Sequence, residues 1–183
     1  VNLENTGFAS IINERGLYCR YGDFYLDPKE ASPHAVISHA HGDHAVRSND
    51  YVYCTPATAA IMQHRYQKNA GNHIRVYEWS ESFDLNGVSI SFIPAGHILG
   101  SAQVLMEYRG VKYLYTGDYK LQEDATCEKI EFVKANVLIS ESTFADPSVQ
   151  HPSASDEIRK LNLFNHNVLL GAYSLGKAQR LIN

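Results

Sequence analysis

Cysteine is scarce in this chain and follows no pattern. Its three cysteines, Cys19, Cys54 and Cys127, stand far apart without C-x-x-C spacing, which indicates neither a disulfide framework nor a thiolate zinc site. Apolar runs of the roughly 18 residues needed to cross a bilayer are missing, and no basic stretch followed by an apolar one opens the chain. The expectation is a soluble, cytoplasmic protein. Positive charge is not in excess either: 16 Lys and Arg stand against 20 Asp and Glu, a net charge of −4. A protein gripping nucleic acid by wholesale counterion release is thereby excluded, and such a substrate would have to be held locally, for instance through metal ions. No internal repeat, low-complexity tract or flexible linker occurs. Histidine, by contrast, is plentiful, with nine residues, and 44% of the 183 residues are hydrophobic, enough for one compact core.

Short strands separated by turns dominate the pattern. Residues 16–19 and 24–26 flank a turn at residues 20–23, and the apolar stretch 35–38 runs directly into histidines. A helix is expected over residues 56–69, capped by Thr55, with Pro56 at its first position and Gly71 beyond its end. Two hairpins follow, 83–85 with 88–93 around Asn86-Gly87, and 103–108 with 111–115 around Arg109-Gly110. Residues 137–140 and 168–172 read as strands, 156–164 as a helix, and a further helix starts at Leu175. That last helix is cut in mid-pattern, which suggests part of a longer chain.

Chemistry concentrates in His39-Ala40-His41-Gly42-Asp43-His44, behind the strand 35–38. In extended backbone, residues two apart project to one side, so His39 and His41 can reach one metal ion. A turn at Gly42 then lets Asp43 and His44 face a second. The bland alternative, a surface histidine cluster, does not account for an apolar strand in front and a glycine within.

These six residues resemble the H-x-H-x-D-H signature of the metallo-β-lactamase superfamily. Ala95-Gly96-His97-Ile98-Leu99-Gly100-Ser101 is similar to its third motif and Tyr115-Thr116-Gly117-Asp118 to its fourth. Tyr25-Leu26-Asp27-Pro28 is similar to its first, whose aspartate supports the ligand loop without binding metal. The resemblance implies an α/β fold, the αββα sandwich of that superfamily. Imidazole and carboxylate ligands without thiolate suit zinc, iron or manganese. On this reading His39, His41 and His97 bind the first ion, Asp43 and His44 the second, and Asp118 bridges them with its two oxygens. Taken alone, His97 would pass for a loop histidine and Asp118 or Asp27 for turn residues.

Ile139-Ser140-Glu141-Ser142-Thr143 resembles the acidic E-S-T motif of the β-CASP nucleases, and residues 167–183, with Gly176-Lys177-Ala178-Gln179-Arg180, resemble the first strand and helix of their inserted cap. Within that branch the chain looks most like the bacterial ligase-associated DNA exonucleases, also described as mRNA 3′-end-processing-factor-like proteins. The resemblance implies a metallo-β-lactamase domain over residues 1–160, incomplete, and the start of a cap over 161–183. It implies a metal-dependent nuclease, a DNA exonuclease linked to repair, using two divalent ions, zinc or manganese, with a DNA ligase as a family partner. Asp43, Asp118 and Glu141 would be catalytic, Glu141 as the acid–base group. Lys177 and Arg180 would meet the nucleic-acid backbone, or simply line a solvated helix face. An RNA-processing nuclease, a thioester or lactam hydrolase of the same fold and a non-catalytic metal-binding scaffold remain alternatives. The family's later histidine, which completes the second metal's ligands, has no counterpart here: His151 and His166, like His34, His64 and His73, read as surface or packing residues.

Overall fold

The structure, a computed structural model, describes residues 12–148, 150 and 152–183. Two mixed sheets carry the strands. The first contains, in spatial as in chain order, β1 (Ile12–Asn13), β2 (Gly16–Cys19), β3 (Phe24–Leu26), β4 (His34–Val36), β5 (Tyr51–Cys54) and β6 (His73–Val76). β1 to β3 pair antiparallel, and β3 to β6 run parallel. The second sheet is formed by β7 (Ser82–Leu85), β8 (Val88–Pro94), β9 (Ala102–Tyr108), β10 (Val111–Tyr115) and β11 (Val137–Ile139). It is antiparallel from β7 to β10, and β11 joins parallel to β10.

Alternation along the strands decides what each face meets. Val36 and Tyr53 turn into the layer between the sheets, where Phe24 and Leu26 meet Ile90, Phe92, Val104 and Met106. Ala35, Ile37, Val52 and Cys54 take the opposite face and pack against Ala59 and Met62 of α1 (Pro56–Tyr66). Buried on both sides, these parallel strands read as continuous apolar stretches rather than alternating ones. Each fully buried Phe, Leu or Ile contributes about 1.5–3 kcal/mol by leaving water.

The hairpins at residues 16–26, 82–94 and 102–115 form as the sequence predicts. The expected helix at 56–69 is α1 followed by a single 3₁₀ turn, Gln67–Asn69, with the Thr55 side chain capping Thr58 N–H. α2 (Ala154–Asn162), capped by Ser153, and α3 (Lys177–Ile182) lie close to their expected places. The strand expected at residues 35–38 is His34–Val36, and the chain leaves it three residues before His39.

One element is corrected. Residues 168–172 are not a strand: no ladder pairs them, all five are exposed, and Leu169 is 99% exposed. A short apolar run of this kind reads as a buried strand from its pattern, yet only Val168 among the five is β-branched, and a strand exists only when a neighbour takes its N–H and C=O groups. Among the described residues no helix is long and apolar enough to cross a membrane.

Candidate metal centre

Three strand ends meet at one edge of the sandwich. Ala102 N–H donates to Ser38 C=O at 2.8 Å and Lys120 N–H to Ala95 C=O at 3.1 Å, so the loops that follow β4, β8 and β10 are sewn together. Behind β4 the chain turns at His41, whose carbonyl accepts from His44 N–H (3.1 Å) and Ala45 N–H (2.8 Å). The turn expected at Gly42 is thus helical in kind and rests on the His41 carbonyl. In the loop after β8, the Ser101 hydroxyl accepts from both His97 N–H and Ile98 N–H. Thr55 and Thr58 hold the Gly100 carbonyl from α1. Gly117, just before Asp118, adopts a φ of +52°, and a Cβ there would lie 2.7 Å from Ser38 Oγ, so only glycine lets the two loops approach this closely.

His39 Nε2, His41 Nδ1, His97 Nε2 and an Asp118 oxygen converge, all within 4.8 Å of one another. His39 Nε2 and His41 Nδ1 are 3.0 Å apart, His97 Nε2 and His41 Nδ1 3.2 Å. Asp118 Oδ2 stands 3.5 Å from His97 Nε2 and 3.8 Å from His39 Nε2. Donors about 2.0–2.1 Å from a tetrahedral zinc lie about 3.3 Å from each other, so the spacing fits a shared ion.

Hydrogen-bond accounting at the outer ring atoms agrees. The single Ser38 hydroxyl proton goes to Asp27 Oδ2 (2.5 Å), so His39 Nδ1, 2.9 Å away, must donate to Ser38 Oγ and keep its lone pair on Nε2. His41 Nε2 faces the Leu175 carbonyl at 3.2 Å, an acceptor only, which leaves the lone pair on Nδ1. Two nitrogen lone pairs therefore point at each other across 3.0 Å in a site where His39 is fully buried. A cation between them relieves that repulsion.

Asp27 anchors the loop from behind. Its Oδ1 accepts from Ser38 N–H (2.7 Å), and its Oδ2 accepts from Ser38 Oγ, Tyr115 O–H (2.9 Å) and His44 Nδ1–H (2.8 Å). Asp27, His39 and His44 also lie close enough together to suggest a metal group, but three donors already occupy Asp27 Oδ2, and the geometry is that of a supporting bond to His44. His44 Nε2 is left facing Asp118 Oδ1 at 3.4 Å and Asp43 Oδ2 at 3.8 Å. Asp43 is 83% exposed and belongs to no tighter cluster among the described residues.

Glu141 follows β11, and its Oε1 accepts from Tyr119 N–H at 2.9 Å, beside Asp118. Its charge is felt at both Asp118 and His97. Lys177 and Arg180 lie farther out: Lys177 Nζ sits over the Tyr173 ring at 5.5 Å, and Arg180 Nε is 3.7 Å from Asp124 Oδ2. His34 bonds Tyr53 and His73 stacks on Tyr51, while His166 is exposed; His151 lies outside the described residues. Ser38, Tyr115, Ser101 and the Leu175 carbonyl escaped the sequence reading. Ser101, three residues past Ile98, carries the signature of a hydroxyl-capped turn and is the one that could have been found.

Titration behaviour follows from these surroundings. Burial, reinforced by neighbouring imidazoles, holds His39 neutral and lowers His97 to about 4. Burial also works against the charged form of His44, but Asp27, Asp118 and Asp43 overcome it and raise that group to about 9. Burial pushes Asp118 up despite His44. Metal-free protein then loses stability as pH falls from about 6.5 toward about 4, where the unfolded chain protonates histidines that the fold keeps neutral. The contribution of His44 is complete below about 6.5 and fades as pH rises through about 9. Urea midpoints in excess chelator should peak between these limits. A midpoint still climbing above pH of about 9 would contradict the His44–Asp27 assignment.

A model of the beta-lactamase superfamily domain matches residues 27–168, most of the chain. The chain belongs to the metallo-β-lactamase superfamily. It is 32% identical over 175 residues to a "Probable DNA ligase" of Opitutus terrae, covering 91% of this chain and 17% of that protein. It is also 31% identical over 187 residues to "Endoribonuclease ysh-1" of Neurospora crassa, covering 80% and 22%. To "Cleavage and polyadenylation specificity factor subunit 3" of Dictyostelium discoideum it is 33% identical over 116 residues, covering 60% and 15%. The chain thus spans less than a quarter of each relative. These likenesses place it with the β-CASP, ligase-associated nuclease-like members, as the sequence motifs predict. The superfamily fold implies divalent metal binding.

Proposed function

We propose that the protein to which this chain belongs is a metal-dependent nuclease that hydrolyses phosphodiester bonds, with DNA as its substrate and exonucleolytic cleavage as its mode. The observation that carries the metal dependence is the convergence of lone pairs from His39 Nε2 and His41 Nδ1 with His97 Nε2 and Asp118 Oδ2. His39, His41, His97 and Asp118 would hold a first ion, zinc or manganese by donor type. Asp43, His44 and the other oxygen of Asp118 would hold a second. Divalent ions there supply Lewis acidity toward a phosphodiester and make water a nucleophile near neutral pH.

The chain's own residues do the positioning. Asp118 presents one oxygen to His39 and His97 and the other to His44. Asp27 and Ser38 fix the rings of His44 and His39. Glu141 is the acid–base group of this reading. Lys177, exposed at the start of α3, would contact backbone phosphate, with Arg180 sharing its charge with Asp124.

The wide match to the probable DNA ligase favours DNA and a repair setting, with a ligase as partner. The endoribonuclease likenesses support RNA as the second reading. End-labelled single- and double-stranded DNA and RNA, incubated with full-length protein under zinc or manganese, separate the two. Shortening of DNA from one end is expected. Faster internal cleavage of RNA would establish the RNA reading, and no cleavage of either would leave a small-molecule hydrolase or a scaffold. Among the described residues, the second position has three protein ligands, one of them shared. Calorimetric titration with zinc should find one strong site and no efficient turnover; two equally tight sites or full nuclease activity would overturn that assignment.

A further inference from the structure

We propose that the turn at residues 173–176 is a positioning strap, in which the Leu175 backbone carbonyl orients the His41 ring for metal and so couples metal affinity to the seating of this segment. This rests on the metal-site reading above. His41 and Leu175 are 134 residues apart, yet His41 Nε2 lies 3.2 Å from the Leu175 carbonyl oxygen. A carbonyl only accepts, so this contact puts the ring proton on Nε2 and aims Nδ1 at His39 Nε2 and His97 Nε2. His39 and His44, by contrast, are oriented by Ser38 and Asp27 from within the sandwich.

Further contacts seat the carbonyl. The Leu175 side chain, half-buried, packs on the apolar cluster under α1 that includes Ala59 and Met62. Gly176 has a φ of +89°, and a Cβ on it would lie 2.6 Å from Ile98 Cγ2, in the residue after His97. The strap therefore fits closely against the second ligand loop, and glycine is what lets it pass. Its own fold is closed by Gly176 N–H to Gln179 Oε1 (2.8 Å), Gln179 Nε2 to the Ser174 carbonyl (2.9 Å) and Ala178 N–H to the Tyr173 carbonyl (3.1 Å). Beyond it, Arg180 reaches Asp124, which Lys120 also holds.

Coupling of this kind is reciprocal: if the seated strap favours metal, metal favours the seated strap by the same factor. Zinc should therefore slow amide exchange of Gly176 and Ala178 in the unaltered chain. Gly176→Ala, which unseats the strap, should weaken zinc binding about tenfold to about a hundredfold, the range for loss of a group that orients a ligand. Leu169→Ala, at a residue 99% exposed, should leave it unchanged. Nitrogen NMR of the metal-free chains should show His41 protonated at Nε2 in the parent and mixed between Nε2 and Nδ1 in Gly176→Ala, a signature that general destabilisation does not produce. Zinc affinity within twofold of the parent in Gly176→Ala, or unaltered strap exchange on zinc addition, would overturn the strap. Absence of zinc binding in the parent would instead overturn the site itself. The exchange measurement needs no variant and decides the matter even if Gly176→Ala does not fold.

Discussion

Replacing Asp118 by asparagine is expected to slow phosphodiester hydrolysis by the full-length protein at least about a thousandfold, ~4 kcal/mol in the barrier, while leaving the fold intact. Asp118 Oδ1 faces His44 and Oδ2 faces His39 and His97, so its two oxygens address both proposed ion positions. Asparagine keeps one oxygen, puts an amide NH₂ where the other stood, and removes the shared negative charge. The cost to folding is small because the side chain is partly exposed and burial already disfavours its ionised form. The metal-free variant should melt within a few degrees of the parent. Steady-state rates on a labelled oligonucleotide check the prediction, and activity retained within about tenfold would show that Asp118 does not bridge.

The second large effect falls on stability. Asp27→Ala removes the acceptor of four hydrogen bonds, from Ser38 N–H, Ser38 Oγ, Tyr115 O–H and His44. Ser38 is fully buried and Tyr115 nearly so, so water does not reach these donors freely once the carboxylate is gone. Breaking a buried charged network from one side costs about 3–5 kcal/mol. Zinc affinity should fall as well, since His39 and His44 lose the groups that set their rings. Urea denaturation in chelator measures the first effect and calorimetry the second. A loss of stability under about 1 kcal/mol would mean that Asp27 is no more than an ordinary turn residue before Pro28.

Much of this was readable in the sequence because the signals were local. Asn86-Gly87 and Arg109-Gly110 between apolar stretches predict the hairpins, and Thr55-Pro56 predicts the start of α1, from turn and cap chemistry confined to a few residues. His39 and His41 stand out by spacing alone. β5 and β6 were missed: Tyr51–Cys54 is four residues with no alternation because both faces are covered, and His73–Val76 is a mostly exposed edge strand. Residues 168–172 failed in the opposite sense, since a short apolar run reads as a strand by pattern but nothing pairs with it among the described residues. Within the candidate centre, the supporting role of Asp27 came with the resemblance, and what stayed invisible was the set of partners around it. Tyr115 reaches Asp27 across 88 residues and Leu175 reaches His41 across 134, contacts that only the folded sandwich creates.

His39, His41, His97 and Asp118 are expected to share one divalent ion. Anomalous diffraction at the zinc edge, from crystals of the chain grown with zinc, tests it most directly. A peak is expected about 2.0–2.2 Å from His39 Nε2, His41 Nδ1, His97 Nε2 and an Asp118 oxygen. A map in which these four side chains diverge, or in which zinc sits only elsewhere on the surface, would contradict it.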